Sequence, residues 1–484
     1  MAKTYRPWAP TQSYLLPPSP RDWLPEGHLA YFILDIVGEL DLSAIESVLQ
    51  AKDPRGEKSY DPRMMVSLLL YAYCVGVFSS RRIVRATYED IAMRFISGDQ
   101  HPHFTRVAAF RREHLEALGG LFVQVVQLCE KAGLVKLGHV AIDGTKVRAN
   151  ASKHKAMSYD RMKTEGTKLE AEIAELLARA EAVDTAEDEQ FGDSDGMDIP
   201  EELKRRETRL ARIREAKAEL EAEARAARAS RLRELADVNE HRATAAPTQR
   251  RRRAAATTAK KQRSEAERLK PDHDDDDDPP DAPSLPFHRP RATPAGEPKP
   301  KAQRNFTDPD SRIMVEGSGA YAQTYNAQAA VTEDTQIIVA CPLSNQAPDN
   351  EYLPFVLAEV NSVLGRAPER VTADNGYWSA TNAAWCEEND IDVYISTGRK
   401  CRAPPDLQSV PKTAKERMTA KLQTTDGRDM YRRRKFTVEP VFGQIKQARG
   451  FRQFLLRGLQ KVRLEWRMIC ATHNLLKLFR AAAA

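Results

Sequence analysis

The chain has 484 residues, and at about 150 residues per domain this length predicts roughly three domains with room for a hydrophobic core. Its 74 Lys and Arg residues exceed the 69 Asp and Glu residues, which leaves a net charge of +5. The sequence has no apolar run long enough to span a bilayer and no signal-peptide pattern, so no membrane partner is expected. The six cysteines form no C-x-x-C pair, which favours reduced thiols in the cytosol over a disulfide framework or a zinc site.

An all-helical domain is predicted over residues 27–135, after a Pro-rich extended segment at 1–26. Asp61 followed by Pro62 is a typical helix start, and it begins the apolar segment PRMMVSLLLYAYCVG, which predicts a buried helix ending at Gly76. Two longer helices are predicted next, RRIVRATYEDIAMRFISG and RVAAFRREHLEALGGLFVQVVQLCEKAG. Their short Gly-containing connection fits either a helix-turn-helix or an ordinary bundle. The basic residues that favour DNA contact are Arg81, Arg82, Arg85, Arg106, Arg111 and Arg112.

The pattern changes abruptly after residue 152, where an insertion is predicted. Within residues 153–240, sparse apolar positions among dense charges over 158–187 and 200–240 predict a long antiparallel helical hairpin. The role of this hairpin stays open between dimer contact, DNA contact and inert insertion. Residues 241–303 are of low complexity and contain the acidic run Asp274–Asp278, so we expect a disordered linker there.

Residues 136–152 and 304–484 together predict one mixed sheet flanked by helices. Their elements follow the order strand–strand–strand–helix–strand–helix–strand–helix, which fits ribonuclease H. The expected fold class is therefore an α+β or α/β multidomain protein. It would combine an N-terminal all-helical domain with a ribonuclease H-like mixed-sheet core, and the helical hairpin and disordered insertion would interrupt that core.

Three carboxylates are placed where hard divalent cations could bind. Asp143 follows the strand segment HVAI, Asp374 follows RVTA, and Glu439 begins an amphipathic helix. Such acids can hold two Mg²⁺ ions, or Mn²⁺, with Asp143 as the bridging ligand. Each Asp alone fits a turn or helix cap equally well, and Glu439 alone fits a surface ion pair. The combination predicts metal-dependent phosphodiester chemistry.

Cations and aromatic side chains near these acids are candidate DNA contacts. Lys446 lies about two helical turns after Glu439, on the same face. The two aromatic residues after Asp374 could stack on an unpaired base or pack under the sheet. The clustered positive charge of the C-terminal part favours a polyanion, or else forms a solvated face. The candidate DNA-binding residues are Lys146, Arg148, Tyr377, Trp378, Arg434, Lys435, Lys446 and Arg449.

Several linked motifs resemble the DDE transposases of bacterial insertion sequences. In chain order they are YDPRMMVSLLLYAYCVGVFSSRRI, AIDGTKVRANASKHKAMSY, ADNGYWS and VEPVFGQIKQARGFRQFLLRGL. The resemblance implies a ribonuclease H-like core, metal-dependent hydrolysis at transposon ends, and attack of the freed 3′-hydroxyl on target DNA. It maps Asp143, Asp374 and Glu439 to the catalytic, metal-binding triad.

Related transposases carry a Tyr–Arg–Glu–Lys signature around the triad Glu. Glu439 and Lys446 keep the usual Glu-to-Lys interval. Tyr431 and Arg434 lie one residue further from Glu439 than the commonest spacing, and Lys435 occupies the usual Arg position.

The resemblance implies DNA as the partner, namely transposon ends and target, and a homo-oligomer when two ends are held together. The expected location is the bacterial cytoplasm, in association with the nucleoid. Two alternatives remain open: a host-adopted DNA nuclease on the same fold, and a catalytically inactive DNA-binding repressor. The intact triad argues against the repressor but does not separate the two enzymes.

Overall fold

The computed structural model describes residues 20–51, 58–191, 201–269, 285–317, 319–398 and 413–483. Most of the predicted N-terminal extended segment and the Asp274–Asp278 run lie outside these ranges. The described chain begins with helices α1 (Pro20–Trp23), α2 (Leu29–Glu39), α3 (Ser43–Gln50), α4 (Pro62–Cys74), α5 (Ser80–Glu89), α6 (Ile91–Ile96), α7 (Phe104–Glu113) and α8 (Leu115–Lys131).

Helix α4 forms as the sequence predicts. The Asp61 side chain accepts hydrogen bonds from the backbone N–H groups of Arg63 (2.7 Å) and Met64 (3.3 Å), which caps the helix. The helix is buried without interruption from Met65 to Cys74. Gly76 follows it with a φ of +80°, and a Cβ there would lie 2.6 Å from the Arg449 carbonyl oxygen. Only glycine fits this position, both conformationally and sterically.

The two longer helices predicted in this region are each broken in two. Asp90 adopts an extended backbone and accepts a hydrogen bond from the Met93 N–H (2.9 Å), so it ends α5 and caps α6. His114 interrupts the next helix between α7 and α8, where its backbone leaves the helical conformation (φ −109°, ψ 23°) without a side-chain cap. Arg111, predicted to lie on a basic face, is buried and donates to the Tyr73 hydroxyl (2.9 Å) and the Phe78 carbonyl (3.1 Å). Its role is therefore structural.

The next elements are β1 (His139–Arg148), β2 (Ala156–Ser158), α9 (Tyr159–Phe191), α10 (Glu201–Ala245), α11 (Gln249–Arg268) and β3 (Gln303–Asn305). The two long helices of the predicted hairpin are present as α9 and α10. The prediction of disorder over 241–303 is wrong for α11, which packs along α10 through the buried Ala259 and Ala266. Residues 270–284 lie outside the described ranges.

The remaining elements are β4 (Arg312–Val315), β5 (Tyr321–Thr332), β6 (Ile338–Ala340), β7 (Leu343–Ser344), α12 (Leu353–Leu364), β8 (Arg370–Ala373), α13 (Ala380–Glu388), β9 (Asp392–Ile395), α14 (Ala414–Gln423), α15 (Thr425–Thr437), α16 (Glu439–Gly443) and α17 (Leu459–Ala482). The sheet has the order β4-β5-β1-β8-β9, and β6 and β7 also pair with β5. Strand β5 is antiparallel to β1, whereas β8 and β9 are parallel to it. This is the predicted mixed sheet.

One large hydrophobic core joins the N-terminal helices, the sheet and α17. Helix α17 packs against α8 so closely that a Cβ at Gly119 would lie 2.6 Å from Leu464 Cδ2. The insertion has two smaller apolar clusters of its own. Among the described helices, none combines the length and hydropathy that a membrane span requires.

Candidate functional site

Asp143 lies in the middle of β1, between β5 and β8. Its side chain is 18% exposed and accepts hydrogen bonds from the Gly144 N–H (2.8 Å) and from Arg434 Nη1 (3.0 Å). Burial raises the pKa of Asp143 to about 6, against the opposing Arg434 charge, and Asp374 and Asp349 raise it further. Two more carboxylates are therefore within electrostatic reach of Asp143.

Asp374 directly follows β8 on the strand next to β1. The last residue of β8, Ala373, is the register partner of Ile142, so the two parallel strands carry Asp374 and Asp143 at the same level. The Asp374 carboxylate accepts a hydrogen bond from the Gly376 N–H (2.8 Å) and caps a short turn. Asp374 therefore also plays the turn-capping role that the sequence allowed as an alternative, because its carboxylate stabilises the loop that carries it.

Glu439 is connected to Asp143 by the Arg434 side chain, which contacts both carboxylates. The Arg434 side chain, 12% exposed, donates from Nη1 to Asp143 and from Nη2 to Glu439 Oε1 (3.1 Å). One guanidinium therefore joins a strand carboxylate to the first residue of α16. Tyr431 lies one turn before, with its ring centroid 5.9 Å from Arg434 Cζ. Arg434, despite its shifted spacing, makes the contacts to the acids, while Lys435 is exposed.

A fourth carboxylate, Asp349, was not anticipated from the sequence. It accepts hydrogen bonds from Asn326 Nδ2 (2.6 Å), Gln328 Nε2 (3.0 Å) and Lys146 Nζ (3.2 Å). A Cβ on Gly144 would lie 3.0 Å from Asp349 Oδ1, and one on Gly376 would lie 3.3 Å from its Oδ2. Asp349 is therefore packed against Gly144, which directly follows Asp143, and against Gly376, which lies two residues after Asp374.

A sequence signal for this group existed in the strand TYNAQAAV. Asn326 and Gln328 are two residues apart, so the alternation of a strand places both on one face. Both are fully buried in an otherwise apolar stretch. Buried amides require hydrogen-bond partners, which predicts a polar group facing them, although the pattern does not say that Asp349 supplies it.

The predicted cations near the acids differ in their exposure to solvent and in their hydrogen-bond partners. Lys146 is 18% exposed and its Nζ is held by the Ala347 carbonyl (2.8 Å) and by Asp349. Lys446 Nζ donates to the Lys146 carbonyl (2.7 Å) and to Thr145 Oγ1, and burial lowers its pKa to about 8. Arg148 is mostly exposed and pairs with Glu316 at 2.6 Å. These side chains line the strand that carries Asp143.

Two predicted DNA contacts are corrected by their burial. Tyr377 lies entirely in the core, where its hydroxyl donates to Gln328 Oε1, so this ring cannot stack on a base. Arg449 is also buried and donates to Thr472 Oγ1 (2.8 Å) and to the Ile469 carbonyl (3.2 Å). Both residues support the fold. Trp378 is half-buried and packs against the main core.

The chemistry of these side chains suits a hard divalent cation, because carboxylate oxygens are its preferred protein ligands. Across the residues that the structure describes, no three His, Cys, Asp or Glu side chains stand close enough together to hold a metal ion as placed. The Arg434 guanidinium instead supplies the positive charge between Asp143 and Glu439. Oxygen donors of this kind are the ones that Mg²⁺ and Mn²⁺ prefer, and in the structure as it stands Arg434 compensates the charge of two of them.

Two protein-family models match the chain. Residues 386–479 match the model described as "Transposase DDE domain", and residues 18–113 match "Transposase domain (DUF772)". These matches support an insertion-sequence DDE transposase. The assignment also supports the ribonuclease H-like fold that the strand order predicts. Neither the comparison with curated proteins nor that with solved structures gave a match.

The two family matches cover different parts of the chain, and only one of the three predicted acids lies within them. The DDE match includes Glu439 and Lys446, whereas Asp143 and Asp374 lie outside it. The other match covers the N-terminal helices up to Glu113. The family therefore supports a DNA transposase in general terms, and the roles of the individual acids rest on their geometry.

Proposed function

We propose that this transposase cleaves DNA at the ends of its element and transfers the freed 3′-hydroxyl into target DNA. Asp143, Asp374 and Glu439 would hold one or two divalent cations for this reaction. The observation that carries the proposal is the double contact of Arg434, which joins Asp143 to Glu439. Asp374, which follows β8, lies at the level of Asp143 on the neighbouring strand.

A divalent cation bound to these acids would lower the pKa of a bound water or 3′-hydroxyl and stabilise charge that develops on the phosphate. The protein's own groups would position the substrate. Lys435 presents positive charge at the surface, and Arg148 is exposed but paired with Glu316. Lys446 lies beside the strand of Asp143. Asp349 fixes Lys146 and two strand amides behind the acids.

We infer that the protein acts on DNA in the bacterial cytoplasm, in association with the nucleoid. Joining two transposon ends requires that both be held together, so the working form is proposed to be a homo-oligomer. The support is the transposase family itself.

Cleavage of a labelled duplex carrying the element's end, with Mg²⁺ or Mn²⁺ present, tests the proposed reaction. Native protein, Asp374→Ala and a control Asp35→Ala would be compared, since Asp35 is exposed on helix α2, which carries none of the three acids. We expect native protein and the control to cut at the end, and Asp374→Ala to bind DNA without cutting. Equal cutting by all three would remove Asp374 from the reaction. Binding without cutting by all three would favour the repressor.

A further inference from the structure

A cavity of about 690 Å³ opens at the base of the insertion, away from the carboxylates. It lies where β2 and the beginnings of α9 and α10 meet. Its apolar lining is buried or half-buried and consists of Met157, Ile213, Phe306 and Ala156. The cations that line it are exposed: Lys155, Arg161, Lys204, Arg205, Arg209 and Arg212. We call this the insertion cavity.

The charge of the insertion cavity has one sign. No acidic residue is among the described residues that line it. Arg209 is 3.5 Å from Glu165. Across the described ranges, four of its cations form no ion pair: Lys155, Arg161, Lys204 and Arg212.

Some of the other basic side chains of the insertion are paired with acids. Arg206 is 3.3 Å from Glu172, and Arg214 is 2.9 Å from Glu170. Further along, Arg263 is 2.7 Å from Glu240. Like charges gathered without partners repel one another and oppose the compact state. An anion bound in the insertion cavity would compensate the charge of its four cations that pair with no acid in the described ranges.

We propose that the insertion cavity binds the phosphate backbone of the DNA whose end reaches the catalytic carboxylates. This inference rests on the proposed function, because it assigns a second contact to the same substrate. Lys and Arg side chains that neutralise phosphates release condensed counterions, which favours binding of DNA of any sequence. The cavity would therefore contribute affinity and orientation, not recognition of the end sequence.

The position of the cavity suits a substrate shared with the catalytic site. Lys155 is twelve positions after Asp143, so the two lie at most about 43 Å apart. One turn of duplex DNA spans roughly 35 Å. A single duplex can therefore contact both places.

The cavity is also held in place by the catalytic domain. Strand β2 pairs with β3, and the Phe306 N–H donates to the Lys155 carbonyl (3.0 Å). The Tyr159 N–H donates to the Ala302 carbonyl (2.8 Å), so the two ends of the insertion are joined at its base. A cation surface fixed in this way is organised before DNA arrives, which lowers the cost of binding.

The test compares two variants with the same change in net charge. The cavity variant carries Lys155→Gln, Arg161→Gln, Lys204→Gln and Arg212→Gln. The control variant carries Arg233→Gln, Arg251→Gln, Lys260→Gln and Lys261→Gln, which are exposed positions on α10 and α11 that do not line the cavity. Affinity for a duplex of unrelated sequence would be measured over a range of salt concentrations, beside cleavage of the end duplex.

We expect the cavity variant to bind the unrelated duplex about tenfold or more weakly at low salt, with a slope of log K against log salt reduced by roughly two or more. The control should keep the native slope. Equal losses in both variants would reduce the effect to net charge and overturn the proposal, as would native binding by the cavity variant. A change of oligomeric state without a change in DNA affinity would assign the cavity to a protein partner and overturn it too.

The two proposals fail separately in this design. If native protein does not cleave but the cavity variant still loses affinity, the proposed reaction is wrong and the cavity assignment stands. If native protein and the cavity variant cleave and bind alike, the reaction stands and the cavity assignment is wrong.

Discussion

Asp349 connects side chains from several parts of the site. It pairs with Lys146 on β1 and receives hydrogen bonds from Asn326 and Gln328 on β5. Removing one partner of a buried charged network leaves the others unsatisfied, which costs about 1–3 kcal/mol. Asp349 is a positioning residue in this account, because its partners lie beside Asp143 rather than on a substrate.

Asp349→Asn should therefore slow end cleavage while DNA affinity changes little. The amide keeps the shape of the side chain but loses the charge that holds Lys146. The control is Asp334→Asn, which removes an acid paired with Lys136 at the surface, at 3.7 Å. Single-turnover cleavage and duplex affinity would be measured for both variants. A cleavage rate equal to that of the control would contradict the positioning role.

A second residue prediction concerns Glu465, which is buried on α17 and accepts hydrogen bonds from the Leu455 (3.1 Å) and Leu456 (3.0 Å) N–H groups. Burial raises the pKa of Glu465 from 4.5 to about 7, against these hydrogen bonds. The folded protein therefore holds a proton that the unfolded chain releases in this window, and its contribution to stability is lost as pH rises through about 7.

Glu465→Gln removes this titration but keeps an acceptor for the backbone groups. Between pH 4.5 and 7, the native protein should lose up to about 3 kcal/mol of unfolding free energy relative to the variant. Denaturant unfolding at several pH values measures the difference, in which the other titrating groups cancel. Parallel stability curves for the two proteins would show that Glu465 does not titrate in this range.

At the scale of elements, α15 and α16 bring a helix acid to the sheet. Arg434 lies in the last turn of α15 and contacts Asp143 on β1, while Glu439 begins α16. The buried residues Val438 and Val441 fix the junction of the two helices against the core. The guanidinium is therefore a charged link between two packed elements.

Arg434→Ala should destabilise the protein by about 1–3 kcal/mol, because it leaves Asp143 without its charged partner. Added Mg²⁺ should then raise the melting temperature of the variant more than that of native protein, since the cation replaces the missing charge and binds the folded state. The control is Arg433→Ala, which breaks an exposed pair with Glu333 (3.0 Å). Equal Mg²⁺ responses in both variants would argue against cation binding at this point.

The elements show which parts of the fold the sequence can predict. The buried strands around Asp143 and Asp374 are short apolar runs, and Asp61 is a strong capping signal. The breaks at Asp90 and His114 were missed because both residues lie within segments whose apolar spacing continues in helical register. Low complexity is typical of disorder and hides helix α11, although Ala, Arg, Lys and Gln are strong helix formers.

The sequence likewise predicts only part of the candidate site. The order of the three acids along strands and helix indicated that they meet. The sequence did not show that Tyr377 and Arg449 point into the core, since burial depends on tertiary packing. It also did not show Asp349, whose partners come from β1 and β5.

At the scale of the whole molecule, the insertion and the main body have separate apolar cores. Among the residues that the structure describes, none between Ala149 and Tyr325 is a buried member of the main core, and of these only the half-buried Ala151 packs against it. The Asp160 N–H donates to the Pro300 carbonyl (3.2 Å), so the ends of the insertion lie side by side. The body is therefore expected to fold without the insertion.

Replacing residues 161–299 by a short Gly-Ser linker should leave a protein that unfolds in one cooperative transition. It should be less stable than the full chain, because Arg304 and Arg312 lose their pairing with Glu223 on α10. Thermal unfolding followed by circular dichroism measures both properties. Loss of the cooperative transition would mean that the insertion is part of the folding unit.

If Asp143, Asp374 and Glu439 together hold a divalent cation, as proposed, each of them should contribute to metal binding. Titration of Mn²⁺ in the presence of the end duplex, followed by electron paramagnetic resonance, tests it without requiring cleavage. Asp143→Asn, Asp374→Asn and Glu439→Gln would be compared with native protein and with Asp35→Asn, an exposed acid of α2. We expect bound Mn²⁺ in native protein and in the control, and markedly weaker binding in each of the three site variants. Equal binding by all five proteins, or none by native protein, would contradict it.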